Sequence, residues 1–360
     1  MILLLFATVA HFARPLHSSP LLDLPTELQT RILSYLQPKD VYQMRLTHSE
    51  LNDVVLEDKT LPYWGVWLQA RLWSNRVNPV KVFSKRQNLV IARQMRAKVS
   101  FNLDSVNRER LLALDDIFAR EGITYTLMGG DEDEPSFPSM EGLRAAYKLS
   151  LGDVLIRDLK RLHLSDTLKK LKVLNVELTT IDGNDLPLSL ESFLTYGDRI
   201  TSVTNLARLV HLKTLKIEDT SSDFIPPRRA QDWPPQLKRL SLSVPNNDET
   251  RAGRFALPQT IETLEFVRSP WITMEHIALP PSVLHLDISY SDLVTLTGLR
   301  LPPRLKTINL RGTEIESLDG AVFPDTLEEI DLGKRPIKQL KVRDLPRGVK
   351  IVLDRSPEVE

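Results

Sequence analysis

The chain has 360 residues, with 47 lysines and arginines balanced by 47 aspartates and glutamates, and it contains no cysteine. A chain of this length predicts two or three structural units. The balanced charge argues against a dedicated nucleic-acid binder, which carries a strong basic excess. Without cysteine the chain has no disulfides, no zinc–thiolate sites and no thiol catalysis.

Residues 1–20 are predicted to be an apolar N-terminal tail, which opens with Met1–Ala10 (MILLLFATVA). This run is too short to cross a bilayer, which takes about 20 apolar residues, so no stable membrane insertion is predicted. It has the length of a secretory signal core, but the first basic residue, Arg14, follows the run instead of preceding it. Three interpretations stay open: a true signal, a mis-assigned start, or a disordered apolar tail.

Three short helices are predicted between Leu21 and Trp67. Asp23 can cap the first helix, and Pro25 suits its first turn. The apolar face of that helix consists of Leu28, Ile32, Leu33 and Leu36. Asp40 can cap a second helix, and Thr47 opens a Thr-x-x-Glu capping box for a third. So small a unit buries little surface by itself, and we expect it to need a partner.

This segment, residues 21–67, resembles an F-box. The matching residues are Leu24-Pro25-Thr26-Glu27, Ile32-Leu33-Ser34-Tyr35-Leu36, Asp40-Val41 and Trp64. The resemblance implies docking onto the Skp-type adaptor of SCF ubiquitin ligases and, through it, onto a cullin scaffold. The implied adaptor-binding residues are Leu24, Pro25, Leu28, Ile32, Leu36 and Val41. Thr47-His48 departs from the family, where many members have Cys or Val with a basic residue. The alternative is an ordinary helical cap on the repeats that follow.

Residues 68–142 are predicted to form a helical linker and the N-terminal cap of the repeats. Apolar residues at helical spacing favour a helix over Asn107–Glu121, which Gly122 can end. The predicted apolar face of this helix consists of Leu111, Leu114, Ile117 and Phe118. Ile123–Leu127 alternates like a strand. The acidic run that follows, Gly129–Glu134, lacks the alternating ligand spacing of a calcium loop, so a solvated loop is predicted.

The apolar pattern Leu-x-x-Leu-x-Leu recurs through the C-terminal half with a period of 22 residues. Its first positions are 168, 190, 212, 237, 261, 283, 305, 327 and 349, with two slightly longer steps between 212 and 261. A clear instance is Leu305/Ile308/Leu310. An apolar–Pro pair precedes the later units, as at Leu279-Pro280 and Leu301-Pro302, and proline disfavours a helix there.

The pattern resembles a leucine-rich repeat of the short kind, with Leu-Pro in its returning segment. The predicted fold is therefore α/β: a three-helix F-box and a helical linker, followed over residues 143–360 by a solenoid with short parallel concave strands and an irregular convex side. Where the family has Asn or Cys in the turn, this chain has Thr220, Ser269, Ser291 and Thr313. Their hydroxyls are expected to form a thinner ladder of turn hydrogen bonds.

Residues between the repeat leucines are predicted to point to the concave surface, because strand side chains alternate. Along the array they change from basic to acidic. The predicted substrate-binding residues are Lys170, Lys172, Tyr196, Lys216, Arg239, Glu265, His285, Asp287, Asn309 and Glu329. One hypothesis is a protein partner with the opposite charge gradient. The alternative is that exposed strand positions are simply polar.

The sequence contains no catalytic constellation, no metal-ligand spacing and no cofactor motif. The predicted function is that of a non-catalytic substrate-recognition subunit of an SCF-type ubiquitin ligase. It would act in the cytoplasm or nucleus on an unknown protein substrate, with no cofactor, no metal and no nucleic acid. The alternative is a secreted or surface leucine-rich-repeat recognition protein without a ligase role, which requires Met1–Ala10 to be a true signal.

Overall fold

The structure is a computed structural model that describes residues 99–102, 108–129, 139–152, 156–175, 177–197, 199–245, 255–266, 269, 278–333 and 345–353, together with 83, 89 and 92. The chain divides into two units, residues 1–99 and 100–360, and the strands lie in the second. The N-terminal tail, the three helices predicted at 21–67 and the acidic residues 131–134 lie outside the described residues. In the described part of the chain, no helix has the length and apolar character needed to span a bilayer.

Short parallel strands dominate the second unit. In chain order they are β1 Ser100–Asn102, β2 Tyr125–Gly129, β3 Ala146–Gly152, β4 Lys170–Leu174, β5 Thr180–Asp182, β6 Ser192–Tyr196, β7 Ser202–Thr204, β8 Thr214–Glu218, β9 Arg239–Leu242, β10 Thr263–Glu265, β11 His285–Asp287, β12 Thr307–Asn309, β13 Glu329–Gly333 and β14 Lys350–Leu353. Twelve of them form one sheet in the order β1-β2-β3-β4-β6-β8-β9-β10-β11-β12-β13-β14, while β5 pairs with β7 alone. Each neighbour in the large sheet is the next repeat along the chain, so the sheet is built by successive coils of a solenoid.

The register of this sheet follows the apolar repeat. Every strand of the large sheet from β4 to β13 begins two residues after a predicted first position of the repeat. Equivalent residues lie side by side, so that Leu264 pairs with Leu240 on one side and with Leu286 on the other. The two longer repeats leave this register unchanged. The predicted leucine-rich-repeat solenoid of parallel strands is confirmed.

One face of the large sheet is buried. In the coils from β4 to β13 the three repeat positions point inward, as do Leu212, Leu215 and Ile217, which are fully buried. The one polar residue at these positions, Thr195, is also buried. Phe193 and Phe266 take the same positions in other coils and are also fully buried. Each such side chain contributes roughly 1.5–3 kcal/mol when it leaves water. Because neighbouring coils bury one another's inner faces, the stability of the array is local and nearly additive from coil to coil.

Proline residues, including those of predicted apolar–Pro pairs, begin the turns that lead into six strands of the large sheet. Pro280 accepts a hydrogen bond on its carbonyl from the backbone N–H of Val283, at 3.2 Å, and Pro302 does the same for Leu305 at 3.1 Å. The equivalent turns in other coils begin at Pro187, Pro234, Pro324 and Pro346. Proline fits here because its fixed φ suits a turn and because the bond uses its carbonyl, not the missing N–H.

The returning side of the coils is irregular, as predicted. It contains the small β5–β7 sheet and short 3-10 helices, among them Gly183–Asp185. Asp182 caps this helix by accepting a hydrogen bond from the Asn184 N–H at 2.9 Å, and it also accepts one from the Asn205 side chain at 2.9 Å; these bonds lower the pKa of Asp182. Burial, together with the charges of Asp158 and Asp182, raises the pKa of Asp185.

Helix α1, Arg108–Glu121, lies between β1 and β2 in the chain and packs on both. The ring of Phe118 is 5.7 Å from that of Phe101 and 5.5 Å from that of Tyr125. The predicted helix and its end are confirmed: Gly122 has a φ of 65°, and the Ile123 N–H bonds to the carbonyl of Phe118.

The predicted apolar face of α1 needs one correction. Leu111, Leu114 and Phe118 are buried as expected, but Ile117 is only half-buried and Asp115 is buried. Asp115 accepts hydrogen bonds from the hydroxyl of Tyr125 at 2.8 Å and from the N–H groups of Arg144 and Ala145 at 2.7 and 2.8 Å. Burial, followed by the charge and hydrogen bond of Asp115, raises the pKa of Tyr125 well above its ordinary value. The carboxylate thus ties the helix to the start of β3.

The hydroxyl ladder that replaces the family's Asn or Cys is confirmed. Ser291 and Thr313 are buried and donate to the carbonyls of Ile288 and Leu310, at 2.7 and 2.8 Å. Thr220 donates to the carbonyl of Ser243, and the Ser269 hydroxyl accepts from the N–H of Val244. The first pair closes the turn of its own coil and the second pair links neighbouring coils, so these short side chains satisfy backbone groups in two different ways.

Candidate protein-binding face

The solvent face of the large sheet carries the ten predicted substrate-binding residues. They lie in three rows that cross the strands, because side chains on parallel strands in register stand beside one another. The first row is Lys148, Lys170, Ser192, Thr214, Arg239, Thr263, His285, Thr307, Glu329 and Lys350. The second row is Ser150, Lys172, Leu194, Lys216, Ser241, Glu265, Asp287, Asn309 and Asp331. The third, shorter row is Leu174, Tyr196 and Glu218.

The middle of this face is an ion-pair network around Glu265. Its carboxylate lies 2.5 Å from Nζ of Lys216, two strands away, and 3.8 Å from Nε of Arg239. Ser241 lies between Lys216 and Glu265 in the same row, is fully buried, and donates to Glu218 at 2.6 Å. A small residue at position 241 lets the two long side chains meet above it. Two of the predicted cations are therefore neutralised within the chain.

The carboxylates at the acidic end of the face also have hydrogen-bond or ion-pair partners within the chain. Asp287 accepts from the Asn309 side chain at 2.8 Å, Arg311 lies 3.3 Å from Asp331, and Lys350 lies 2.7 Å from Glu329. Asp287, Asn309 and Asp331 each also accept the backbone N–H two residues further on, at 2.9–3.1 Å. Asp287 and Asn309 end their strands as Asx turns, and Asp331 makes the same bond inside β13 at its irregularity, a structural role that the sequence analysis missed.

The basic end differs from the rest of the face. Lys148 and Lys170 lie directly opposite each other on β3 and β4, and Lys172 is one pleat further along β4. None of these three lysines makes an ion pair with a carboxylate in the described part of the chain. Nζ of Lys170 lies 5.3 Å from the ring centre of Tyr147, which the sequence analysis had not assigned to the face. Among the face cations, this end alone offers charge that the described residues leave unneutralised.

His285 does not form a dyad with Asp287. Its Nδ1 lies 2.9 Å from the hydroxyl of Thr307 on the next strand, and Asp287 bonds to Asn309 and to its own turn. The described residues also contain no cluster of three or more His, Asp or Glu side chains that could hold a metal ion. The chemistry that the face supports is recognition by charge, hydrogen bonds and apolar contact.

The central network predicts a measurable stability effect. Glu265→Gln should lower the free energy of unfolding by about 1–2 kcal/mol, because Lys216 and Arg239 lose a partly buried partner. Chemical denaturation of the full chain measures this difference. The matched control is Glu262→Gln, whose carboxylate pairs with Lys238 at 2.7 Å in an exposed position and should matter little. Equal losses in the two variants would contradict the special role of Glu265.

Comparison with known proteins gives a family match for the N-terminal segment and a weak structural similarity for the chain as a whole. Residues 21–61 match the F-box-like family model. No curated protein sequence gives a significant match. The solved structure of YopM from Yersinia enterocolitica WA-314 resembles the chain weakly, with 18% sequence identity and a TM-score of 0.24. The match covers 64% of this chain and 64% of that chain, which is less than two thirds of its length. From its family match and its strand register, the chain combines an F-box-like segment with a leucine-rich-repeat solenoid.

Proposed function

We propose that this chain is the substrate-recognition subunit of an SCF-type ubiquitin ligase. The F-box-like segment would bind a Skp-type adaptor and, through it, a cullin scaffold, while the solenoid would bind a protein target. The observation that carries the proposal is the F-box-like match over residues 21–61, in one chain with a protein-binding type of solenoid. In this function the chain performs no chemistry; it holds a target near the transfer machinery, and positioning alone can lower the barrier of the transfer step.

In this proposal the adaptor contacts come from the apolar residues of the F-box pattern. These are Leu24, Pro25, Leu28, Ile32, Leu36 and Val41. Leu24, Leu28, Ile32 and Leu36 recur at helical spacing, so they would form one apolar surface that a partner can cover, and Val41 would follow in the second predicted helix. The target would be held by the solvent face of the sheet, through residues drawn from the ten that the sequence analysis selected. Such a complex acts in the cytoplasm or the nucleus, and we propose that location.

Adaptor binding provides the direct test. The intact chain should co-purify stoichiometrically with a Skp-type adaptor, and the triple variant Leu24→Asp, Pro25→Ala, Ile32→Asp should not. Two carboxylates placed in an apolar interface should weaken binding by at least about a hundredfold, because each would lose its hydration without gaining a partner.

A matched control comes from the variable positions of the same pattern. Thr26→Asp with Ser34→Asp adds the same two charges at positions that the F-box pattern leaves open, and it should keep adaptor binding. If the intact, folded chain fails to bind the adaptor, the ligase proposal is wrong. The secreted recognition protein then becomes the better explanation, and removal of Met1–Ala10 from the mature protein would support it.

A further inference from the structure

Three lysines at one end of the solvent face repel one another without compensation from described residues. Lys148 faces Lys170 in register across β3 and β4, and like charges directly opposite each other destabilise a sheet. We call Lys148, Lys170 and Lys172 the lysine patch. Every other lysine or arginine on the strands of this face, from β8 to β14, has a carboxylate partner within the chain. An anion supplied from outside would therefore relieve repulsion at the lysine patch and nowhere else on this face.

Apolar side chains border the lysine patch on one side. Leu194 stands beside Lys172 on the next strand, and Leu174 pairs with Tyr196 one pleat further along. All three are half-buried, so part of each still faces solvent. We call Leu174, Leu194 and Tyr196 the apolar margin. Across the patch, the Tyr147 ring holds Lys170 in place without removing its charge. Tyrosine is enriched in the hot spots of protein interfaces, and exposed cations beside Tyr196 would add charge complementarity to its contact area.

We propose that the lysine patch and the apolar margin bind an extended acidic segment of the protein substrate, with carboxylates against the lysines and an aliphatic or aromatic residue against the margin. This inference rests on the proposed function, since it specifies which part of the face takes the target. It replaces the charge-gradient hypothesis, because Lys216, Arg239 and the carboxylates beyond them are already paired within the chain. Charge complementarity would steer the encounter, and the margin would fix the register.

The test uses the full chain and a short fluorescent peptide built from repeated Glu-Glu-Leu. We expect this peptide to bind at least about tenfold more tightly than its Gln-Gln-Leu analogue, as measured by fluorescence anisotropy. Lys148→Gln with Lys170→Gln and Lys172→Gln should remove that preference. A Glu-Glu-Ser peptide should bind at least about threefold more weakly than Glu-Glu-Leu, because it leaves the apolar margin uncovered. Equal binding of those two peptides would remove the margin from the proposal.

A matched control separates this site from general attraction by positive charge. Lys213, Lys238 and Lys306 lie just before strands β8, β9 and β12 and are paired with glutamates, so their triple Gln variant loses the same charge away from the patch. It should keep the preference for the acidic peptide. The inference fails if both triple variants lose binding equally, if neither does, or if the intact chain does not bind the acidic peptide. It also fails if a single-stranded oligonucleotide of equal charge binds more tightly through the same lysines.

Two further experiments distinguish this inference from binding of the patch by the chain's own acidic residues and from the proposed ligase function. Neutralising the acidic residues 131–134 of this chain leaves the lysine patch intact; if the peptide binds only after that change, the occupant is the chain itself and not a substrate. Adaptor co-purification of the lysine-patch variant tests the proposed function separately. If the adaptor still binds but peptide binding does not depend on the three lysines, only this inference is wrong. If the intact chain does not bind the adaptor, only the proposed ligase role is wrong.

Discussion

Replacing Asp115 by Ala should lower the free energy of unfolding of the chain by about 3 kcal/mol, a large loss for one side chain. The carboxylate is buried and accepts three hydrogen bonds, from the Tyr125 hydroxyl and from two N–H groups at residues 144 and 145. Alanine would leave two buried donors, the Tyr125 hydroxyl and the Ala145 N–H, and one part-buried donor, the Arg144 N–H, without this partner. Each unsatisfied donor costs about 1–3 kcal/mol, reduced where water can enter the space that the side chain leaves. Urea denaturation of the variant and the parent chain measures the difference.

The neighbouring Asp116 supplies the control for this experiment. It is half-exposed and forms ion pairs with Arg144 at 2.6 Å and with Arg120 at 2.8 Å. Exposed pairs of this kind contribute between zero and about 1 kcal/mol, so Asp116→Ala should change the stability little. A loss for Asp115→Ala no larger than that for Asp116→Ala would mean that the link between α1 and β3 does not hold the first coils together.

The strand positions could be predicted from the sequence because the repeat encodes them twice. The period of 22 residues fixes where each coil returns, and the alternation within Leu-x-x-Leu-x-Leu fixes which side chains point inward. Both signals agree at Leu264, which pairs with its equivalents in both neighbouring coils. A one-residue error in either signal would place charged residues in the core, so the register tolerates no alternative.

Which charged side chains of the solvent face are paired within the chain could not be predicted from the sequence in the same way. The ion pair between Lys216 and Glu265 joins residues two strands apart and depends on the small Ser241 between them. Tyr147 was missed because β3 has a register shift opposite Tyr125, which places two consecutive residues, 147 and 148, outside the core. Asp115 was missed because hydrophobic periodicity scores a carboxylate as exposed, whatever donors the fold brings to it.

The close approach of neighbouring coils predicts the second large effect. A Cβ atom added at Gly183 would lie 2.2 Å from the carbonyl oxygen of Asn205 and 2.7 Å from its carbonyl carbon, which are backbone atoms of the next coil. Gly183→Ala should therefore lower the free energy of unfolding by about 2–3 kcal/mol, because the two coils must move apart. That movement would also strain the hydrogen bonds from Arg208 to the Gly183 carbonyl and from Asn205 to Asp182.

Gly152 provides the comparison that decides whether space, and not the loss of glycine itself, causes the effect. A Cβ atom there would lie 3.8 Å from the Cβ and 4.0 Å from the carbonyl oxygen of Leu174, both ordinary contacts, so Gly152→Ala should be neutral or slightly stabilising. Amide hydrogen exchange should rise in β5 and β7 for Gly183→Ala but remain unchanged in β12, since coils influence mainly their neighbours. Faster exchange throughout the sheet would show instead that the solenoid unfolds as one unit. If the two alanine variants are equally stable, the neighbouring coils can move apart at Gly183 with little loss of free energy. The close packing at Gly183 would then contribute little to the stability of the chain.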